Sequence, residues 1–264
     1  MGIIRPELKD ALVCELGLIS FPEAMEYEHK LLELRHQEKI QDTLLIFQHP
    51  PTVTMGRFGK TGNVLLPRGE LARRGIEYYD SDRGGDATFN CPGQLIVHPI
   101  FSVNLRGARA HINDLEEMCL RVLEGYGISG RRSAEHPGIW IAGKPQNTAR
   151  DSSFAKAKDK PFDSAQDKQI GAVGLRFSRG VSMHGLSLNV GPDLSSFGVI
   201  NLCGVQGARA TSIENELGRS VAVSEVIERI KAAFSDVFRV RLVKISKDKL
   251  KGICFGPPVS RANK

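Results

Sequence analysis

Thr43-Leu44-Leu45-Ile46-Phe47-Gln48-His49-Pro50-Pro51-Thr52-Val53 decides how this chain is built. Four consecutive apolar residues between threonine and glutamine read as a short buried strand. A strand covered on both faces has no solvent side and so need not alternate. His49-Pro50-Pro51 halts it, because proline brings no backbone N–H to a neighbouring strand, and the strand resumes through Val53. Working outward, residues 11–20 read as another strand. Pro22 to Gln37 reads as an amphipathic helix with Ala24, Tyr27, Leu31, Leu32 and Leu34 as its apolar positions. Downstream, Gly56 to Gly59 is a loop, Leu71 to Arg74 a short helix and Ile76 to Asp80 a strand. Leu95 to Ile100 is a further buried strand.

Asn113 to Tyr126 reads as a helix capped by Asn113, faced by Leu115, Met118, Cys119 and Val122, and ended by Gly127. Strands are expected at Gly138 to Ala142, Ile170 to Arg176 and Leu186 to Val190. A helix at Val223 to Phe234 and a strand at Arg239 to Lys244 complete the pattern. Strands dominate the core and helices are few and separated, which predicts an α+β fold (an α/β mixed sheet) rather than a regular βαβ array. The 264 residues suit a single domain spanning 1–264. One segment breaks the texture. Phe154-Ala155-Lys156-Ala157-Lys158-Asp159-Lys160-Pro161 is followed by Phe162-Asp163-Ser164-Ala165-Gln166-Asp167-Lys168-Gln169, an eight-residue unit written twice. Residues 145–169 are polar and lack apolar periodicity, and are expected to form a disordered, low-complexity surface insertion.

Composition narrows the function. No apolar run approaches the roughly 20 residues of a membrane helix, and Met1 to Glu7 lacks the apolar core of a secretory signal. A cytoplasmic location is therefore expected. The 5 cysteines (Cys14, Cys91, Cys119, Cys203 and Cys254) are widely spaced without a Cys-x-x-Cys pair, so neither a disulfide framework nor a zinc knuckle is expected. The net charge of +6 suits an acidic macromolecular partner. The basic residues are dispersed and aromatics make up only 6%, which favours an acidic protein over nucleic acid.

Three clusters could carry chemistry. Arg83-Gly84-Gly85-Asp86-Ala87-Thr88-Phe89-Asn90 opens on paired glycines, whose backbone N–H groups can approach a ligand. A tight hairpin would look the same. It is neither a phosphate loop nor a dinucleotide fingerprint. His184-Gly185-Leu186-Ser187-Leu188-Asn189-Val190 sets a histidine before an alternating strand, though a lone histidine is more often structural. Ile200-Asn201-Leu202-Cys203-Gly204-Val205 reads as a strand end opening into a tight turn, where a thiol could meet substrate. Cysteine also packs as a small hydrophobe.

In order along the chain these clusters resemble the lipoyl(octanoyl) transferases of the biotin/lipoate protein ligase family. The match carries His49-Pro50-Pro51, Gly56-Arg57, Arg83-Gly84-Gly85 with Thr88-Phe89, Pro92-Gly93-Gln94 and Pro137-Gly138-Ile139-Trp140. It continues through Ile170-Gly171-Ala172-Val173-Gly174, His184 to Val190, Asp193-Leu194-Ser195 with Cys203-Gly204, Thr211-Ser212 and Glu216-Leu217-Gly218-Arg219. The resemblance implies the family's catalytic-domain fold, similar to class II aminoacyl-tRNA synthetases. It also implies transfer of an octanoyl group from octanoyl-acyl carrier protein, through a cysteine thioester, to a lysine of lipoyl domains (those of 2-oxoacid dehydrogenases and the glycine cleavage H protein). No cofactor or metal is implied. Carried over, the cysteine is Cys203. Arg83, Gly84, Gly85, Asp86, Ala87, Thr88, Phe89 and Asn90 would line the acyl pocket with Ala172, Val173, Gly174, Gly185, Leu186 and Ser187.

Two departures stand out. The family's lysine before Ile-x-Ala-x-Gly is replaced by Gln169, with Lys168 one residue earlier, and a one-residue offset in a strand reverses the face. Excising 145–169 joins Lys144 to Ile170, so Lys144 and Lys168 are both candidates for the activating cation. Asn90 stands where the family usually has histidine, followed by Cys91, whose thiol could compete for oxidation. Three other readings bear on the motifs. An ATP-dependent ligase would not need Cys203-Gly204. An amidotransferase between lipoyl domains would also use a cysteine. A binder of acyl carrier protein or lipoyl domains without turnover would accommodate Gln169 and Asn90.

Overall fold

The computed structural model describes residues 8–103, 107–133, 136, 138–143, 163 and 166–256. The apolar run at its centre is β2 (Thr43–Gln48), and its side chains divide between two cores. Leu44 and Ile46 enter one hydrophobic cluster and Leu45 and Phe47 the other, as the two-residue strand period requires. β2 lies parallel to β1 (Lys9–Leu18), which lies parallel to β12 (Val240–Lys244). On its other side β2 pairs antiparallel with β6 (Gln94–Ile100), then follow β10 (Val181–Asn189), β9 (Lys168–Ser178), β8 (Ile139–Ile141) and β7 (Gly130–Arg132). The short β11 (Arg209–Ala210) runs parallel to the start of β9. The expected mixed sheet is therefore present.

Helices cover both faces of this sheet. α3 (Gly107–Glu124) and α5 (Val223–Phe238), which follows the short α4 (Ile213–Leu217), bury Leu115, Met118, Val122, Val226, Ile230 and Phe234 on one face. α1 (Phe21–His36) and α6 (Lys247–Phe255) bury Tyr27, Leu31, Leu250 and Cys254 on the other. α1 starts where the sequence placed it because the Ser20 hydroxyl accepts the Glu23 N–H at 3.3 Å with Pro22 in the first turn. α3 begins two turns earlier than expected, so Asn113 lies inside it rather than capping it. Gly127, at φ 72°, follows its end as expected.

The chain after Pro50-Pro51 does resume as a strand, β3 (Thr52–Met55), but in a separate sheet of order β4-β3-β5. β4 is Glu77–Asp80 and β5 is Ala87–Asn90, with α2 (Arg68–Arg73) between β3 and β4. A third hydrophobic cluster joins Val53, Ala87 and Phe89 of this sheet and Leu71 of α2 to Phe197, Val199, Ile200 and Leu202 of the segment that leads to Cys203. Cys91 belongs to this core. Burial pushes its thiol up to about 12, so it presents no competing thiolate.

The segment 145–169 divides. Lys168 and Gln169 begin β9, and the Asp167 carboxylate forms a buried ion pair with Arg131 of β7, so the expected loop does not reach residue 169. Asp163 and Gln166 are also described; the rest of 145–169, with Lys144, lies outside the described residues. Among the described residues no helix is long and apolar enough to cross a membrane.

Candidate active site

The site forms where the small sheet meets the β9–β10 hairpin. In that hairpin Ala172 pairs with Ser187, Val173 with Leu186 and Gly174 with Gly185, so the two stretches singled out in the sequence are cross-strand neighbours. Their glycines permit close approach. A Cβ on Gly185 would stand 2.1 Å from the Val97 carbonyl oxygen. β8 pairs with β9 only at Lys168 to Gly171, and beyond it the Gly84 N–H donates to the Leu175 carbonyl at 2.9 Å. The Arg83-Gly84-Gly85-Asp86 turn thereby docks onto β9.

Arg83 locks that turn. It is 8% exposed and spends its donors on protein acceptors: Thr54 O at 2.8 Å, Asp86 O at 2.6 Å, Thr88 Oγ1 at 2.9 Å and Gly84 O at 3.0 Å. Burial lowers its guanidinium to about 10, against the opposite pull of Cys203 and Asp86. A lysine has no planar fork to reproduce this set.

Cys203 does not sit at a strand end. It lies in a short 3-10 turn, Leu202–Gly204, with left-handed backbone at φ 50°, ψ 29°. Gly204 follows at φ 72°, and a Cβ there would stand 2.9 Å from Asp86 Oδ2. The turn is tied to the loop before α2. The Asn201 N–H donates to Asn63 O at 2.8 Å, and Asn63 Nδ2 donates to Asp86 Oδ2 at 2.6 Å. A non-glycine residue in this region is held by its surroundings. Here the constraint fixes the thiol beside the glycine-rich turn.

Gln169 Nε2 donates to Cys203 Sγ at 2.9 Å. Lys168 points elsewhere, with Nζ 2.6 Å from Glu216 Oε1, as the strand alternation requires. Of the two candidate lysines, then, Lys168 is engaged by Glu216, and Lys144 lies outside the described residues. Burial raises the Cys203 thiol above its ordinary value. The Gln169 hydrogen bond and the Arg83 charge oppose that rise, and the Asp86 carboxylate adds to it.

Cys203 borders two cavities. One of about 10 Å³ is lined by Thr88, Gln169, Ala172, Ser187 and Phe197, and has room for about one water. The other is a cleft of about 600 Å³ between the Arg83–Thr88 segment, Ala172 to Phe177 of β9 and α3. Its walls include Ile112, Val173, Leu175 and Phe177, with Arg109, Glu116 and Arg132 among the polar lining. A third cavity of about 50 Å³ is lined by Arg83, Asn90, His98, Gly185, Leu186 and Ser187. Every pocket residue expected from the sequence borders one of these spaces. Asn90 is turned into an amide chain: its Nδ2 meets Gln94 Oε1 at 2.5 Å, and Gln94 Nε2 meets Asn189 Oδ1 at 2.8 Å. Ile112, Phe177 and Phe197 were not legible as pocket walls. Their apolar character gave a signal for burial, not for what they face.

Comparison with known proteins agrees with this architecture. The family described as the lipoyl protein ligase A/B catalytic domain matches residues 20–235. An octanoyltransferase of Chloroflexus aurantiacus is 38% identical over 226 residues, covering 84% of this chain and 92% of that protein. An octanoyltransferase of Rubrobacter xylanophilus is 37% identical over 223 residues, 84% of this chain and 90% of that protein. Among solved structures, a bipartite lipoate protein ligase of Thermoplasma acidophilum superposes with a TM-score of 0.68 at 14% identity, covering 93% of this chain and 91% of that one. A lipoate-protein ligase A bound with ATP gives 0.63 at 14% identity, covering 94% and 93%. The structural likenesses speak for the fold.

Proposed function

The chain belongs to the lipoyl protein ligase A/B catalytic-domain family and is an acyltransferase that moves octanoyl groups in protein lipoylation, and on that footing we propose that Cys203 carries the group as a thioester. The observation that supports this most directly is the placing of Cys203: a thiol on strained backbone, hydrogen-bonded to Gln169 and bordering a 600 Å³ cleft with apolar walls.

The donor in this proposal is octanoyl-acyl carrier protein and the acceptor a lysine of a lipoyl domain. The Cys203 thiolate attacks the donor's thioester carbonyl. A new carbon–sulfur bond forms, the old one breaks, and the departing thiolate takes the proton that Cys203 gave up. One thioester replaces another, so no ATP is consumed. The acceptor's neutral amine then attacks the Cys203 thioester, forming the amide and returning the proton to sulfur. The octanoyl chain lies in the cleft against Val173, Leu175 and Phe177, since the spaces of about 10 and 50 Å³ are too small for it without opening. Backbone N–H groups of the glycine-rich turn are the candidate oxyanion donors. Gln169 supplies a hydrogen bond to the sulfur but no charge. The activating cation in this reading is Lys144, whose charge would favour the Cys203 thiolate, because Lys168 is engaged by Glu216.

Incubating the protein with octanoyl-acyl carrier protein, without acceptor, and weighing it intact tests the thioester. An octanoyl adduct that Cys203→Ser abolishes and Cys91→Ser retains is the expected result. No adduct up to pH about 9, above the ordinary thiol pKa, would overturn it and favour a binder without turnover, the reading that Gln169 supports. Adduct formation slowed by Lys144→Ala but not by Lys168→Ala identifies the cation.

A further inference from the structure

Glu28 is a fully buried carboxylate on α1, where the sequence assigned it no role. Its two oxygens meet imidazoles from two strands. His98 Nδ1 of β6 stands 2.6 Å from Oε1, and His184 Nδ1 of β10 stands 3.6 Å from Oε2. The second ring nitrogen of His184, Nε2, is 2.6 Å from Asp82 Oδ1. A carboxylate there holds the proton on Nε2. In the neutral ring Nδ1 is then left with a lone pair facing a carboxylate oxygen. At 3.6 Å the two are too far apart for a hydrogen bond. They are close to the separation of about 3.4 Å that two donor atoms adopt on one tetrahedral zinc ion with arms of about 2.0–2.1 Å.

The surroundings complete the pattern. One donor atom from each of Glu28, His98 and His184 lies within 4.8 Å of the others. Asp82 on the far nitrogen of His184 is the outer carboxylate that orients a metal-binding imidazole, and Arg176 holds Asp82 in turn. The cavity of about 50 Å³ bordered by His98 and His184 has room for a water as a further ligand. His184 is held at φ 60°, a conformation that a non-glycine residue adopts under constraint.

We propose that Glu28, His98 and His184 bind one divalent transition-metal ion of the zinc class, at a site distinct from Cys203. Binding replaces the hydrogen bond between His98 and Glu28 with a shared ion, and the proton leaves His98 Nδ1 as the ion enters. The ion ties α1 to β6 and β10. Through Asp82 it also braces the turn that begins at Arg83.

The full chain carrying Cys203→Ser, stripped with a chelator and titrated with Co²⁺, gives the test. Expected are one equivalent of cobalt, visible d–d absorption of a low-coordinate ion, no sulfur-to-cobalt band in the near ultraviolet, and displacement by Zn²⁺. Glu28→Gln and His98→Gln should each weaken binding by about tenfold or more. Failure to take up cobalt or zinc at micromolar concentration would overturn the proposal. A sulfur-to-cobalt band would do the same, as would affinity unchanged in both variants. Should either variant fail to fold, the stoichiometry and spectrum of the parent decide alone.

Discussion

Cys203, half-buried, and Glu28, fully buried, are two acids that the fold treats in opposite ways. The thiol sits on irregular backbone, in a turn stitched to Asn63 and Asp86, and burial wins: its pKa is raised despite Gln169 and Arg83. The carboxylate sits mid-helix against regular strands, and burial loses. His98 and His184 together pull it to about 2. Burial disfavours the charged form in both. What differs is the company. Glu28 meets two imidazoles and a backbone N–H. Around Cys203 stand an uncharged amide, a guanidinium largely committed to other acceptors, and an opposing carboxylate.

The comparison breaks most visibly at the thiol. Cys203→Ser should lower octanoyl transfer by on the order of 10³ or more, since the proposed covalent route needs this thiol as nucleophile; single-turnover kinetics with intact-mass readout measures it. At the carboxylate the effect is on stability. A drop from 4.5 to about 2 corresponds to about 3 kcal/mol. Because the folded value lies below the unfolded one, this stability is present above about pH 4.5 and lost as pH falls towards 2. Urea unfolding of metal-free protein should show Glu28→Gln destabilised by about 3 kcal/mol at pH 7 and by clearly less at pH 3. An equal loss at both pH values would contradict the assignment.

Giving the thiol the company it lacks should be milder. Gln169→Lys places an ammonium where Nε2 now stands 2.9 Å from sulfur, and should move the midpoint of the acylation pH profile down by about one unit. An unmoved midpoint would show that the seat does not control ionisation. Lys168→Ala should matter least. Its ion pair with Glu216 is partly exposed and contributes about 0–1 kcal/mol, so acylation should change by less than about threefold.

Much of the framework was legible because long apolar runs have few ways to be buried. β2, β6 and α1 lie within a residue or so of their expected bounds. The misses include short or marginal elements such as β5, β7, β11, the early turns of α3 and α6. Three- and four-residue strands take their stability from the neighbours they pair with, and a local pattern cannot show those neighbours. Strand chemistry on both sides of Pro50-Pro51 was visible, but not that the second stretch enters another sheet. The repeat was visible too, yet β9 claims its last two residues, because pairing with β8 and β11 outweighs their polar composition.

By itself the sequence determined the mixed α+β class, the glycine-rich turn and the pairing-ready stretches around Gly174 and Gly185, and it singled out Cys203 for the proposal. These rest on local signals: apolar runs, positive-φ glycines and motif order. Tertiary structure alone decided that Gln169 rather than Lys168 meets the thiol, that Cys91 is buried in the core, and that His98 and His184 converge on the buried Glu28 carboxylate. The reason is physical. Which face a side chain takes, and which distant charge it meets, follows from strand register and helix packing, and these are settled only when the whole core closes.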